Sequence, residues 1–310
     1  MLENRRFLLM RRPKGVPVAD DFRLTTESLP EIPDGRVLVR NHYVALDPAM
    51  RGWMDDRPSY LPPIPLGTAM RGTTVGVVVE SRSAGIKAGD WVYGFNWIED
   101  YSIGDPTGYF KVIDVEAVPS PTNYLSVLGV AGMTAYFGYL RVCQPVAGDV
   151  VLVSGAAGAV GSLVGQIAKI KGASKVIGIA GGAEKCARVV ERYGFDAAVD
   201  YRDKTVDELS AEIRALAPDG VNIVFENVGG KTGARNIWQL IVKRASMRGL
   251  LVADYLDRFP QAMKEMSGWL RAGQLKFDEH IEQGIENCLP AFLRLFSGNK
   301  DGKLLLKLVP

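Results

Sequence analysis

The chain has 310 residues, 47% apolar and 23% charged, with a formal net charge of +2. That is the make-up of a soluble globular protein with room for two domains, and the balanced charge offers nothing to nucleic acid or an anionic membrane surface. Three scattered cysteines, Cys143, Cys186 and Cys288, fit reduced thiols in a cytoplasm, and two histidines are few for metal chemistry.

The N-terminus, MLENRRF, has no apolar h-region, so no secretory signal is expected. Residues 1–117 read as β-rich. Phe7–Met10, Val37–Val44, Gly72–Glu80 and Trp91–Phe95 carry strand-forming residues between Pro, Gly and Asp turns. From Tyr124 the texture changes to apolar residues at helical spacing, through Cys143. Strand and helix then alternate: Val150–Ser154, a helix to Ile170, Val176–Ala180, a helix over Glu184–Tyr193, Ala197–Asp200, a helix over Val206–Leu216, and Val221–Glu226. Such a βαβαβ run predicts a doubly wound parallel sheet whose ligand sits at the C-terminal strand ends. The tail, GKLLLKLV (Gly302–Val309), reads as a last strand. The expected division is 1–117 with 289–310 as one domain and 118–288 as the other.

The stretch Val150–Ser162, VVLVSGAAGAVGS, organises the second half. A buried strand ends at a glycine turn that opens into a helix. Gly155 permits the tight turn, Gly158 lets backbone approach a pyrophosphate, and Gly161 allows close helix–strand packing. The phosphates then meet the free N–H groups and positive dipole end of the helix. The uncharged run Val150–Ala168 is broken by these glycines and is read as strand–turn–helix, with no membrane span.

The alternation fails after Val221–Glu226. The turn Asn227–Gly230 should lead to another helix and strand, yet Lys231-Thr232-Gly233 runs straight into a helix-like Asn236–Arg244 and a strand-like Met247–Ala253. A helix and strand with their loops take roughly 25–30 residues, at about 1.5 Å and 3.3 Å of rise per residue. The expectation is that such a stretch is absent at Lys231, either truly deleted or skipped by the numbering.

The segments LDPAMRGWM (Leu46–Met54), GMTAYFG (Gly132–Gly138), the glycine turn, FENVGG (Phe225–Gly230) and IVKRASMRGLLVADYLDRFP (Ile241–Pro260) together resemble one family. It is the zinc-independent medium-chain dehydrogenase/reductases, in the leukotriene B4 dehydrogenase/prostaglandin reductase branch with its curcumin-reductase-like and alkenal double-bond reductase relatives. The resemblance implies an α/β Rossmann domain with its doubly wound parallel sheet, a β-rich GroES-like domain, NADP(H), reduction of α,β-unsaturated carbonyl compounds and a homodimer. It places Thr134, Gly155, Ala157, Gly158, Ala159, Val160, Gly161, Lys185, Tyr201 and Asn227 at the cofactor. It sets Met50, Arg51, Tyr60, Arg71 and Tyr255 at the substrate pocket.

NAD-preferring enzymes carry Asp or Glu about 20 residues past the glycine turn, to hold the ribose 2′-OH. Here that position falls at Gly181-Gly182, without a carboxylate, and Lys185 follows. The missing acid removes repulsion from a 2′-phosphate and Lys185 adds attraction, unless Lys185 is simply a solvated helix charge. The resemblance adds Tyr201 to the same phosphate. Glu184 favours the helix dipole. Zinc is not expected, because the first 142 residues hold no cysteine and only His42, with Ala45 where zinc-dependent relatives carry their first cysteine.

Without a metal, a carbonyl is polarised by hydrogen-bond donors. Hydride adds to the β-carbon of an enone, an oxyanion develops, and the α-carbon takes a proton. The family's tyrosine for that step aligns with the absent stretch at Lys231, so no residue is named as proton donor and Tyr255 is not substituted for it. Thr134, like Tyr136, serves either the nicotinamide end or helix packing. Asn227 is either a ligand contact or an Asx turn. Asn299-Lys300-Asp301-Gly302-Lys303 stands where relatives carry N-x-G-K near a cofactor contact. Two other readings remain open: a quinone oxidoreductase of the same superfamily, and a non-enzymatic NADPH-binding protein.

Overall fold

The computed structural model describes residues 2–229, 238–297 and 302–309. Lys231 lies outside the described residues. The chain forms two compact units, Met1–Leu125 with Glu279–Pro310, and Ser126–Asp278.

The first unit is built of antiparallel strands. β1 (Glu3–Leu9) pairs with β2 (Phe22–Ser28), and the polar β2 lies mostly at the surface. β3 (Val37–Ala45) is followed by the short helix α1 (Ala49–Trp53), and β4 (Thr68–Ala69) completes a three-stranded sheet with β1 and β2. β5 (Arg71–Ser81), β6 (Trp91–Trp97), β7 (Tyr101–Gly104) and β8 (Phe110–Val112) extend the larger sheet around β3. Alternation on these strands turns Val37, Val39, Val78, Val92 and Phe110 into one buried cluster.

The boundary at Leu125 has a local cause. Tyr124, expected to open a long helix, instead ends a 3₁₀ turn, Pro121–Tyr124, and its hydroxyl donates to the Asp114 carbonyl at 2.9 Å. The helix proper, α2, covers Val130–Phe137 and continues as a π-helical turn to Cys143.

The second unit follows the expected alternation: β9 (Val150–Ser154), α3 (Gly161–Ile170), β10 (Lys175–Ala180), α4 (Ala183–Glu191), β11 (Ala197–Asp200), α5 (Val206–Leu216) and β12 (Ile223–Phe225). The four strands are parallel in the order β11-β10-β9-β12. The strand order reverses between β9 and β12, and their C-terminal ends are where an open α/β sheet takes its ligand. α5 starts at a capping box in which Thr205 and Glu208 satisfy each other's backbone N–H groups.

Beyond β12 the structure departs from the sequence reading. α6 covers Trp238–Val242, but Met247–Ala253 is no strand: it runs irregularly to Leu251 and enters a 3₁₀ turn, Val252–Arg258. A strand exists only by hydrogen bonding to a neighbour. Among the described residues β12 pairs with β9 alone, leaving its outer side open and Val224 54% exposed. α7 (Phe259–Arg271) closes the unit, and the chain returns to the first. There β13 (Glu279–Gln283) and α8 (Cys288–Ser297) precede β14 (Lys303–Lys307), which is buried between β13 and β3.

Candidate cofactor site

The turn after β9 is drawn tight. Gly155 has φ +58°, and Gly158 N–H donates back to its carbonyl at 2.9 Å. A Cβ on Gly161 would stand 2.4 Å from that same carbonyl oxygen, so the first residue of α3 can only be glycine without moving the strand end. Among the described residues, the N–H groups of Ala157, Ala159, Val160 and Gly161 find no acceptor. The first turn of α3 carries no acidic side chain. Such a row of unpaired amides at a helix start is an acceptor-seeking cradle that fits a phosphate.

The neighbouring strand end is clamped to this turn. Ser154 Oγ donates to Glu226 Oε1 at 2.6 Å and accepts from Asn227 N–H at 2.7 Å. Asn227 Nδ2 donates to the Ser154 carbonyl at 2.9 Å, so this side chain bridges two strands and is no local Asx turn. Glu226 Oε1 also takes the N–H groups of Val228 and Gly229 at 2.6 and 2.7 Å. The turn therefore lies over Gly155, where an added Cβ would meet Val228 Cγ2 at 3.1 Å. Ser154 and Glu226 escaped the sequence reading of the site, although Glu226 lies within the FENVGG segment.

A second corner lies at the ends of β10 and β11. Tyr201, 40% exposed, presses on Gly181, where a Cβ would stand 2.9 Å from its hydroxyl oxygen. Lys185 stands in the first turn of α4, and Glu184 pairs with Arg188 one turn on, at 3.2 Å. Burial pushes the Asp200 carboxyl up, but N–H donors from Gly182 and Arg202 and the nearby cations outweigh it and hold its pKa below the usual value. No carboxylate occupies the Gly181–Gly182 step itself.

Thr134 is half-buried on α2, and its hydroxyl donates to the Val130 carbonyl of its own helix at 2.7 Å. Tyr136 donates to Glu265 at 2.5 Å, and Glu265 also takes Lys171 at 2.8 Å. Tyr255 stacks on Phe137, with ring centroids 4.7 Å apart.

The remaining candidates belong to the first unit. Met50 is 1% exposed and lines a small apolar cavity with Phe7, Met54, Met70, Ile98 and Phe292. Arg51 donates to the carbonyls of Pro13 and Gly15 and to Asp55, so it holds its own loop. Tyr60 is exposed and accepts from Trp53 Nε1 at 3.0 Å. Arg71 lies against the rings of Phe95 and Trp97, and burial lowers its pKa from the usual value. Lys303 is buried and spent on Asp47 and the Leu46 carbonyl.

Among the described residues no group of three His, Cys, Asp or Glu side chains could hold a metal ion. His42 packs edge-on against Trp91, and burial, with Arg40 and Lys307 nearby, keeps its pKa below the usual value.

Two family models match the chain, the N-terminal domain of oxidoreductase over residues 5–112 and the zinc-binding dehydrogenase model over residues 159–237. The chain is 37% identical to the NADPH-dependent curcumin reductase of Escherichia coli, over 98% of this chain and 96% of the relative. It is 34% identical to the NADP(+)-dependent 2-alkenal reductase of Nicotiana tabacum, over 97% and 96%. The chain belongs to the zinc-independent medium-chain dehydrogenase/reductases, in the prostaglandin reductase branch. Among solved structures it resembles CurA of Vibrio vulnificus in complex with NADPH, with 34% identity, a TM-score of 0.91 and 99% of both chains covered. The alignment with the Escherichia coli relative runs over 339 positions but takes in 98% of the 310 residues of this family member, so about 35 of its positions hold no residue of this chain.

Proposed function

We propose that this chain is an NADPH-dependent reductase of the C=C bond of α,β-unsaturated aldehydes and ketones. The observation that carries the reading is the pairing of the glycine turn at the start of α3 with a Gly181–Gly182 step that has no acidic side chain of its own and lies beneath Tyr201. The amides of Ala157, Ala159, Val160 and Gly161 hold the pyrophosphate, with Gly155 and Gly158 keeping side chains out of its way. Lys185 and Tyr201 hold the 2′-phosphate. Asn227 and Thr134 serve the nicotinamide end. When bound, the cofactor supplies a hydride to the β-carbon of an enone. The substrate is a small molecule, and in the first unit Tyr60 and Arg71 are proposed to face it.

The test is NADPH oxidation followed at 340 nm with trans-2-nonenal, repeated with NADH and with a quinone. Turnover of the enone with NADPH in preference to NADH supports the reading. Turnover of the quinone alone would reassign the acceptor.

One observation favours a second reading. The roughly 35 alignment positions without a residue of this chain support an absent stretch, and the break in the strand–helix alternation after β12 is where the sequence reading puts it, with the family's tyrosine. A chain lacking that stretch binds NADPH through the second unit's cradle and reduces nothing. An intact mass of 33.8 kDa, with tight NADPH binding and no turnover, would favour it.

No helix among the described residues is long and apolar enough to cross a membrane. The unpaired cysteines support a cytoplasmic location. The open outer side of β12 supports a homodimer, which light scattering on the eluting protein tests.

A further inference from the structure

Two adjacent glycines, Gly181 and Gly182, end β10 and start α4, and each is covered by a side chain from the exit of β11. Tyr201 covers the first. Arg202 covers the second: a Cβ on Gly182 would stand 2.9 Å from Arg202 Nη1 and 3.3 Å from its Cζ. The two loops are tied by the Tyr201 N–H, which donates to the Ala180 carbonyl at 3.2 Å, and by one carboxylate. Asp200 Oδ1 accepts the Gly182 N–H at 2.8 Å and the Arg202 N–H at 2.9 Å, which fixes the backbone from which Arg202 reaches out. Gly182 has φ +98°, a conformation that side-chain-bearing residues avoid, so the step is bare both by backbone conformation and by lack of space.

Neighbouring charges are committed elsewhere. Arg188 is paired with Glu184, and Lys204 with Glu212. Arg202 forms no ion pair within 4.0 Å among the described residues, although it is exposed and carries five donors. An arginine fork held over a bare backbone step and beside a tyrosine hydroxyl, with the one nearby carboxylate, Asp200, bonded to the backbone N–H groups of Gly182 and Arg202, is arranged to receive an anion with several oxygens.

We propose that Arg202 is a specificity-determining residue of the cofactor site, giving its guanidinium to the 2′-phosphate of NADPH, and that Gly181 and Gly182 are bare because Tyr201 and Arg202 occupy the volume a side chain would need. The proposal rests on the NADPH reading above. Lys185 and Tyr201 alone would leave a singly charged site for a group carrying about two negative charges. Arg202 supplies the second positive charge.

The experiment is calorimetric titration of the full chain and of Arg202→Gln with 2′,5′-ADP, 5′-AMP, NADPH and NADH, with melting temperature as a control. The expected result is a rise of about tenfold in Kd for NADPH and 2′,5′-ADP, no change for NADH and 5′-AMP, and partial recovery in Arg202→Lys. Equal weakening of all four ligands, or a lowered melting temperature, would assign Arg202 a structural part in the loop and overturn the proposal. No change in any ligand would overturn it as well. The unmutated chain separates the two levels of the claim. If it bound 2′,5′-ADP no more tightly than 5′-AMP, the NADPH reading itself would fall, and the role of Arg202 with it.

Discussion

Ser154 Oγ is shared between two strands, donating to Glu226 Oε1 at 2.6 Å and accepting the Asn227 N–H at 2.7 Å, with its side chain 1% exposed. Both bonds lie where the strand order reverses, so one hydroxyl fixes the spacing of the glycine turn, proposed to hold the cofactor, and the turn after β12. Ser154→Ala leaves the Asn227 N–H without its acceptor, at a cost of about 1–3 kcal/mol. The expected outcome is a lower midpoint in urea unfolding with an unchanged m-value, together with weaker NADPH binding. Ser154→Thr should retain most of both.

Gly161 tests the cradle from its other side. An alanine there would place its Cβ 2.4 Å from the Gly155 oxygen, a contact that backbone must relieve. Overpacking of this kind costs about 1–3 kcal/mol. Gly161→Ala should melt earlier and lose NADPH and NADH binding together, unlike the Arg202 variant. Calorimetry on the same four ligands separates the two.

Tyr136 and Glu265 give the second unit a pH dependence at both extremes. Burial, followed by the bond to Glu265, raises the Tyr136 pKa from 10.0 to about 12. Between pH 10 and about 12 the unfolded chain loses this proton while the folded chain keeps it, so stability is full below pH 10 and falls as pH rises through that window. Glu265 runs the other way. Burial pushes its carboxyl up, but Lys171 and Tyr136 bring it below the usual value. Its contribution is present above roughly pH 4.3 and is lost on further acidification. Urea midpoints measured from pH 9 to 11.5 should fall more steeply in the unmutated chain than in Tyr136→Phe.

Lys303 is 4% exposed and paired with Asp47, while also donating to the Leu46 carbonyl at 3.3 Å. Removing one member of a buried pair strands the other, at about 3 kcal/mol. Lys303→Ala should destabilise the first unit by that order. Lys303→Met, which keeps the stem volume, should cost less. Thermal unfolding of the two variants side by side checks the ranking.

The parallel strands were legible because both faces are covered, which makes β9 and β10 continuous apolar runs. β2 (FRLTTES) and β13 (EHIEQ) were not, because polar strands with exposed faces carry no alternation to read. Met247–Ala253 has strand chemistry and no strand, since pairing depends on a neighbour that the segment's own composition cannot supply. The amide cradle followed from glycine spacing alone. Arg202 did not, although a basic residue directly after Tyr201 at a strand end was the available signal. What makes it notable is its position over Gly182, which depends on pairing of β10 with β11 and on the tie through Asp200.

β14 is inserted one strand in from the edge of its sheet and comes from a stretch remote in sequence from most of that sheet. Its five residues, Lys303–Lys307, lie between β13 and β3, which was laid down at residues 37–45. β3 finds β5 and β7 soon after it is made, while its β14 side waits through some 260 residues, which takes on the order of tens of seconds at ~5–20 residues per second. The second unit lies within one unbroken segment, Ser126–Asp278, and needs no such late partner. The first unit is thus sealed by a strand remote in sequence from the rest of its sheet, so a lesion in Lys303–Lys307 is felt by β3, some 260 residues away.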